Sequence, residues 1–399
     1  MIVQMFNLPF RRVAGKLATL SRLGVSHVLV SPPQKSTPSL SWWARYQPVD
    51  FTSIEGPLGN ATDLVNLCRK AAEKGIQVMA DAVLNHMTNH PWYVRMHRGR
   101  VYQTAFPRFG PQDFHTPETA SSLGREKLAG NGRRALPELR TDHPYVQNEL
   151  KNYLHGLIEL GIRGFRFDAA RHISPSLWPF ALDGLEQLIH FGELIYSRSS
   201  HYSSAHLDFM KATDFPFARL LKESFSYGGD LRALSNPEGL DRALWGPASV
   251  RFVNYHDFAR RGGSFRYFKL ARADDRALAS AYILGNREGI PLVYYNDLRN
   301  KTVKNGMLFH HLAGNLPSRT LLASANQLIW TRGNLGLVGI NKSREHFFPG
   351  GYLRTGLHPG LYSLSGVGIV VINSRGEWKN PLIPAQSAVF LLPGNRRWY

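Results

Sequence analysis

Cysteine is nearly absent from this 399-residue chain. The single thiol, Cys68, excludes an intrachain disulfide framework and lies in a helical-looking segment, 61–74, which suits a reducing compartment. No stretch reaches the roughly 20 apolar residues that a membrane-spanning helix needs. The opening residues, Met1-Ile-Val-Gln-Met-Phe-Asn-Leu-Pro9, lack the basic start and small-residue cleavage site of an export signal. These absences predict a cytoplasmic location and no membrane partner. Tracts of Ser, Gln or Gly are missing, as are internal repeats, which excludes extended disorder and solenoid architectures. Acidic residues are scarce as well: 29 Asp and Glu stand against 48 Lys and Arg, leaving a formal charge of +19. That excess favours anionic partners in general. Yet the basic residues are scattered, as in Arg95–Arg100, Arg125–Arg134 and Arg260-Arg261, without a Lys/Arg block or a nucleic-acid motif. The expectation is a basic surface able to contact anionic partners, with no specific nucleic acid among them.

What the chain does have is alternation. Short apolar runs at 2–6, 27–31, 76–80, 162–167, 188–192, 211–215, 249–253 and 290–295 are separated by helical patterns. Those patterns occupy 11–23, 61–74, 144–160, 175–187, 217–224 and 275–284. Eight strands with intervening helices predict an α/β chain folded as a (β/α)8 barrel. Two segments break the rhythm. The stretch 86–143, rich in Pro, Gly, Arg and His, is too long for a connecting loop and reads as an inserted subdomain. From Gln327 onward, short β-rich runs separated by Gly, Asn and Ser predict a small antiparallel β domain. The expected division is therefore barrel at 1–85, insertion at 86–143, barrel again at 144–325 and a terminal β domain at 326–399.

Within the fourth run, Gly161-Ile-Arg-Gly-Phe-Arg-Phe-Asp168, side chains alternate across the strand. Phe165 and Phe167 then face the helices, and Arg166 and Asp168 point together into the barrel. Buried charge without partners costs several kcal/mol, so partners are expected. They are available at the other strand ends: Asp81, Asn85 and His86 after the third run, Arg171 and His172 after the fourth, Glu193 after the fifth, His256 and Asp257 after the seventh. Barrel active sites form at the C-terminal ends of the strands, where residues distant in sequence share one mouth. The carboxylates of Asp168, Glu193 and Asp257 are expected to meet there. His86 and His90, four residues apart, are too few ligands for zinc.

This set of strand ends resembles the four signature regions of the α-amylase family of glycoside hydrolases. Supporting matches are Trp42-Trp43-Ala-Arg-Tyr46-Gln-Pro48, Leu136-Pro-Glu138-Leu139 and Trp330-Thr-Arg-Gly-Asn334. The resemblance implies a retaining hydrolase of α-1,4-linked glucans such as starch, glycogen or maltooligosaccharides. Asp168 would be its nucleophile, Glu193 its general acid/base and Asp257 the transition-state-stabilising carboxylate. It further implies that Arg166 orients the nucleophile and that His86 and His256 bond sugar hydroxyls. Tyr46 would stack on the sugar, Arg171 would contact the leaving-group side, and Asp81 would support the site. Family members commonly hold calcium through residues matching Asn85, Glu138 (an aspartate elsewhere) and the carbonyl of His172. Chloride is not expected, because Tyr255 replaces the asparagine that binds it in chloride-dependent members. The motifs are shared with glucosyl transferases and phosphorylases of the same family, and a barrel can also survive as a non-catalytic glucan-binding protein.

Overall fold

Strand Gly164–Phe167 shows why the chain closes on itself. All four residues are buried, with Phe165 and Phe167 packed among the surrounding helices and Arg166 turned to the interior. The structure, a computed structural model, describes residues 1–122, 136–259, 267–394 and 398–399. Eight parallel strands form a closed barrel: β1 (Ile2–Met5), β2 (His27–Val30), β3 (Gln77–Ala82), β4 (Gly164–Phe167), β5 (Ile189–Gly192), β6 (Lys211–Thr213), β7 (Ser249–Phe252) and β8 (Ile290–Tyr294). Each pairs with its sequence neighbours, and β8 returns to β1 through Ile2 opposite Leu292. The barrel is therefore the one expected.

Alternation divides the core into two layers. Ile2, Leu29, Met79, Phe191, Phe252 and Leu292 fill the interior, while Val3, Val28, Val78, Phe165 and Phe167 meet the outer helices. Helix Pro144–Glu159 presents Val146, Leu150, Tyr153, Leu154 and Leu157 to that outer layer, the three- and four-residue spacing of an amphipathic face. Two helical segments differ from expectation. The 11–23 pattern is two helices, Phe10–Ala14 and Leu17–Arg22, separated at Gly15-Lys16. Only Trp178–Ala181 is α-helical in 175–187, after a 3-10 turn at Pro175–Leu177, because Pro175 and Pro179 remove backbone donors and Gly184 adopts φ 76°.

In the insertion, a hairpin pairs Val94–His97 with Arg100–Thr104, and bridges from His86 to Glu138 and from Phe114 to Leu139 fold the segment back on itself, while the Leu139 N–H bonds the Asn85 carbonyl at the barrel edge. Residues 94–104 include the Arg95–Arg100 cluster, which is largely solvated, whereas Arg125–Arg134 and the pair Arg260-Arg261 lie outside the described residues. The terminal part is an eight-stranded antiparallel sheet. Its first strand, Ser318–Ala323, starts ahead of residue 326 and pairs with Gln327–Arg332 across a short polar turn. Among the described residues, no helix is long and apolar enough to cross a membrane.

Candidate active site

Arg166 is the hub. Its side chain is fully buried, and Nη1 donates to Asp81 Oδ1 at 2.7 Å and to Asp168 Oδ1 at 2.8 Å. Nη2 lies 2.8 Å from Glu193 Oε1 and also donates to the Tyr255 hydroxyl, which in turn donates to Glu193 Oε1 at 2.9 Å. One guanidinium thus spans two of the three candidate carboxylates and fixes their spacing, as charge-assisted bonds to a planar fork do. Burial by itself would push Arg166 down, but Asp81, Glu193 and Asp168 outweigh it and hold the group well above its ordinary value.

The carboxyls around this cation are not equivalent. Burial raises Glu193 to about 7; Arg166 opposes the rise, and Asp168 and Asp257 add to it. Neighbouring negative charge is therefore the smaller contribution. Asp81 is raised to about 6, again first by burial, and takes a bond from the Tyr46 hydroxyl at 2.8 Å. It is sealed beneath the site, whereas Asp168 is partly open to it. Directly after Asp168, Ala169 adopts the left-handed region at φ 48°. That conformation costs a non-glycine residue about 1 kcal/mol or more. It turns the Ala169 N–H toward Glu193 Oε2 at 3.3 Å.

The remaining walls come from loops. Tyr46 and His256 rings stack at 5.4 Å, almost parallel, and Phe6 packs against both, 4.6 Å from the His256 ring and 6.5 Å from the Tyr46 ring. Gln4, on β1, fixes His256 from behind, with its amide 2.9 Å from Nδ1 and its carbonyl accepting the His256 N–H at 3.1 Å. His86 Nε2 lies 3.0 Å from the Tyr46 carbonyl. Arg171 reaches the Ile195 carbonyl at 3.2 Å and lies over the Tyr196 ring. A pocket of about 470 Å³ results, bordered by Asp168, Glu193, Asp257, Tyr46, His86, Arg171, His172 and His256, with Trp42 and Trp43 at its side. Every residue expected at the sugar is in that one pocket except Arg166, which lies underneath.

Tyr255, Gln4 and Phe6 were not anticipated as parts of the site. Gln4 had a readable signal, a lone polar residue within the apolar run Ile2–Met5. Tyr255 was read only as a missing chloride ligand; its hydroxyl now joins Arg166 to Glu193. Asn85 and Glu138 sit apart from the pocket, where the insertion meets the barrel. Both are buried, and Asn85 Nδ2 faces Glu138 Oε1 at 3.5 Å. Their oxygens suit a hard cation in kind. As placed, the amide presents its nitrogen, so an ion there requires the opposite amide orientation, and among the described residues no three His, Cys, Asp or Glu side chains cluster as a metal site.

A parallel barrel with acidic side chains gathered at the C-terminal ends of its strands defines a barrel glycoside hydrolase. Comparison with known proteins makes this specific. The family described as "Alpha amylase, catalytic domain" matches residues 10–187. An alpha-amylase from Aeromonas hydrophila is 30% identical, covering 96% of this chain and 94% of its own length. Wild-type alpha-amylase I from Eisenia fetida superposes with a TM-score of 0.82 at 21% identity, covering 99% of this chain and 97% of the other. A mutant of that enzyme in complex with maltohexaose gives 0.80 at 22% identity, covering 96% of each. At those identities the two structures speak for the fold alone. The chain belongs to the alpha-amylase family and is a glycoside hydrolase.

Proposed function

We propose that the enzyme hydrolyses α-1,4-linked glucans, of the starch, glycogen or maltooligosaccharide type, with retention of anomeric configuration. The observation that carries this reading is the Arg166 bridge, which holds Asp168 and Glu193 in one rigid frame yet leaves them in different surroundings. Asp168, accepting a guanidinium N–H, directs its other oxygen chemistry at the anomeric carbon. Glu193, protonated up to about pH 7 by its burial, delivers its proton to the departing glycosidic oxygen. A covalent glucosyl ester on Asp168 follows. Glu193, now ionised, takes a proton from water as that water attacks the same carbon and frees Asp168. Asp257 faces the positive charge that develops on the ring between these steps. Tyr46 offers an aromatic face, and His86, His256 and Arg171 offer bonds to sugar hydroxyls on either side of the cleaved link.

The test is product release from maltoheptaose and soluble starch, with the anomer followed by NMR for wild type and Asp168→Asn. Early α-anomeric products, reduced about 10⁴-fold or more in the variant, are expected, since removing a member of a catalytic unit abolishes most of its rate enhancement. Early β-anomers would refute retention. Predominant transfer to an added sugar acceptor or to inorganic phosphate would refute hydrolysis.

A further inference from the structure

Gln4 is a polar side chain on an apolar strand. Alternation along β1 gives it the inward face that Ile2 also takes, and it is buried there just below the barrel mouth. An amide in such a place destabilises the fold unless both of its ends are hydrogen-bonded. Here one distant residue meets both ends. Gln4 Oε1 accepts the backbone N–H of His256 at 3.1 Å, and the Gln4 amide nitrogen lies 2.9 Å from His256 Nδ1.

This pair of bonds fixes the position of a proton. The two ends of a glutamine amide are told apart by their partners, and a backbone N–H can only donate, so the end that meets it is the oxygen. The other end is the NH2, which can only donate in its turn. Nδ1 is therefore the bare acceptor, and the proton of the neutral ring sits on Nε2. Phe6 and Tyr46 lie within 19° and 4° of parallel to the ring and hold its plane, with Tyr255 tilted against it at 4.2 Å. Turning the ring over would set a C–H against the Gln4 amide, and protonating Nδ1 would set two donors against each other. Nε2 lies on the pocket side, 3.6 Å from Asp257 Oδ2, and both residues line the catalytic pocket.

We propose that Gln4 is a positioning residue that holds His256 as the neutral tautomer protonated on Nε2, so that the ring offers the pocket an N–H donor. The proposal rests on the hydrolytic reading of the site and adds what sets the state of one of its histidines. A donor at Nε2 suits what it meets there: the Asp257 carboxylate only accepts, and a sugar hydroxyl oxygen accepts as well. The opposite tautomer would turn a lone pair toward Asp257 and loosen the carboxylate that faces the developing ring charge.

Nitrogen-15 NMR of the whole enzyme, labelled in its histidine rings and read at neutral pH without any glucan, tests the proposal. The His256 signals are those lost in His256→Asn. In wild type the expected pattern is an unprotonated Nδ1 and a protonated Nε2. Gln4→Glu keeps an acceptor for the His256 backbone N–H but offers a second acceptor to Nδ1, so the proton is expected there instead. Gln4→Met keeps the length of the side chain without its bonds. It should leave both tautomers populated and lower kcat for maltoheptaose about tenfold or more, the worth of a hydrogen bond that supports the transition state. A protonated Nδ1 in wild type overturns the proposal whether or not either variant folds. So does a Gln4→Met enzyme that keeps the wild-type ring pattern, since Gln4 then only packs. Wild type that shows the expected pattern yet fails to hydrolyse maltoheptaose would refute the catalytic reading and leave the proton on Nε2.

Discussion

Tyr255 sets the terms on which Glu193 can act. Its hydroxyl donates to Glu193 Oε1 and accepts from Arg166, so it stabilises the ionised carboxylate and opposes the rise caused by burial. Glu193 must carry its proton when the substrate binds, and at about 7 its ionisation sets the alkaline limb of kcat/KM near neutrality. Tyr255→Phe removes a donor to the ionised form, which raises Glu193 further, and the alkaline limb is expected to move to higher pH. A hydrogen bond to a charged group is worth about 1.5–3 kcal/mol, so kcat should fall about ten- to hundredfold as the Arg166 frame loosens. A pH profile of both enzymes decides this: an unmoved limb means that Tyr255 only packs.

Strands carried most of what the sequence could reveal. In β4 the period of two forces Arg166 inward whatever its partners, and a buried arginine between two phenylalanines announces acids nearby. Length, spacing and turn residues likewise marked all eight barrel strands. The site contacts made across the barrel mouth were less legible. Nothing in Phe6, Gln4 or Tyr255 encodes that they meet His256 and Glu193, because those contacts depend on barrel closure and not on local periodicity. The 175–187 segment misled for the opposite reason: its apolar spacing is helical, but its prolines and Gly184 override it. Between insertion and barrel, the Asn85–Glu138 contact supports a further proposal, a calcium ion held there with the His172 carbonyl and stiffening the junction. Chelation by EGTA is then expected to lower Tm, calcium to restore it, and Glu138→Gln to remove the dependence. Equal Tm with EGTA and with calcium would exclude the ion.

On the scale of the whole molecule, the terminal sheet is tied to the barrel by one buried cation. Arg332, at the end of strand Gln327–Arg332, donates to the carbonyls of Gly285 and Gly314, each at the C-terminal end of a barrel helix, and to Leu316. Trp330 adds a bond from its ring N–H to Gly285 at 3.1 Å and packs against Tyr282. Helix ends leave carbonyls without intrahelical partners, and this arginine supplies donors to two of them, sharing Gly285 with Trp330. Burial lowers Arg332 to about 10, which still leaves it charged at neutral pH. Arg332→Met keeps most of the volume and removes every donor. It is expected to cost about 1–3 kcal/mol in urea unfolding, the range for carbonyls that lose their donor. Arg354→Met removes an ion pair whose arginine is 90% exposed and is expected to change stability by less than about 0.5 kcal/mol. Because neither residue borders the catalytic pocket, KM for maltoheptaose in the folded fraction should stay within about twofold for both. If Arg332→Met instead leaves stability unchanged, the sheet is held by its other contacts with the barrel, including the Trp330 bond to Gly285 and the Lys342 bond to Ser224.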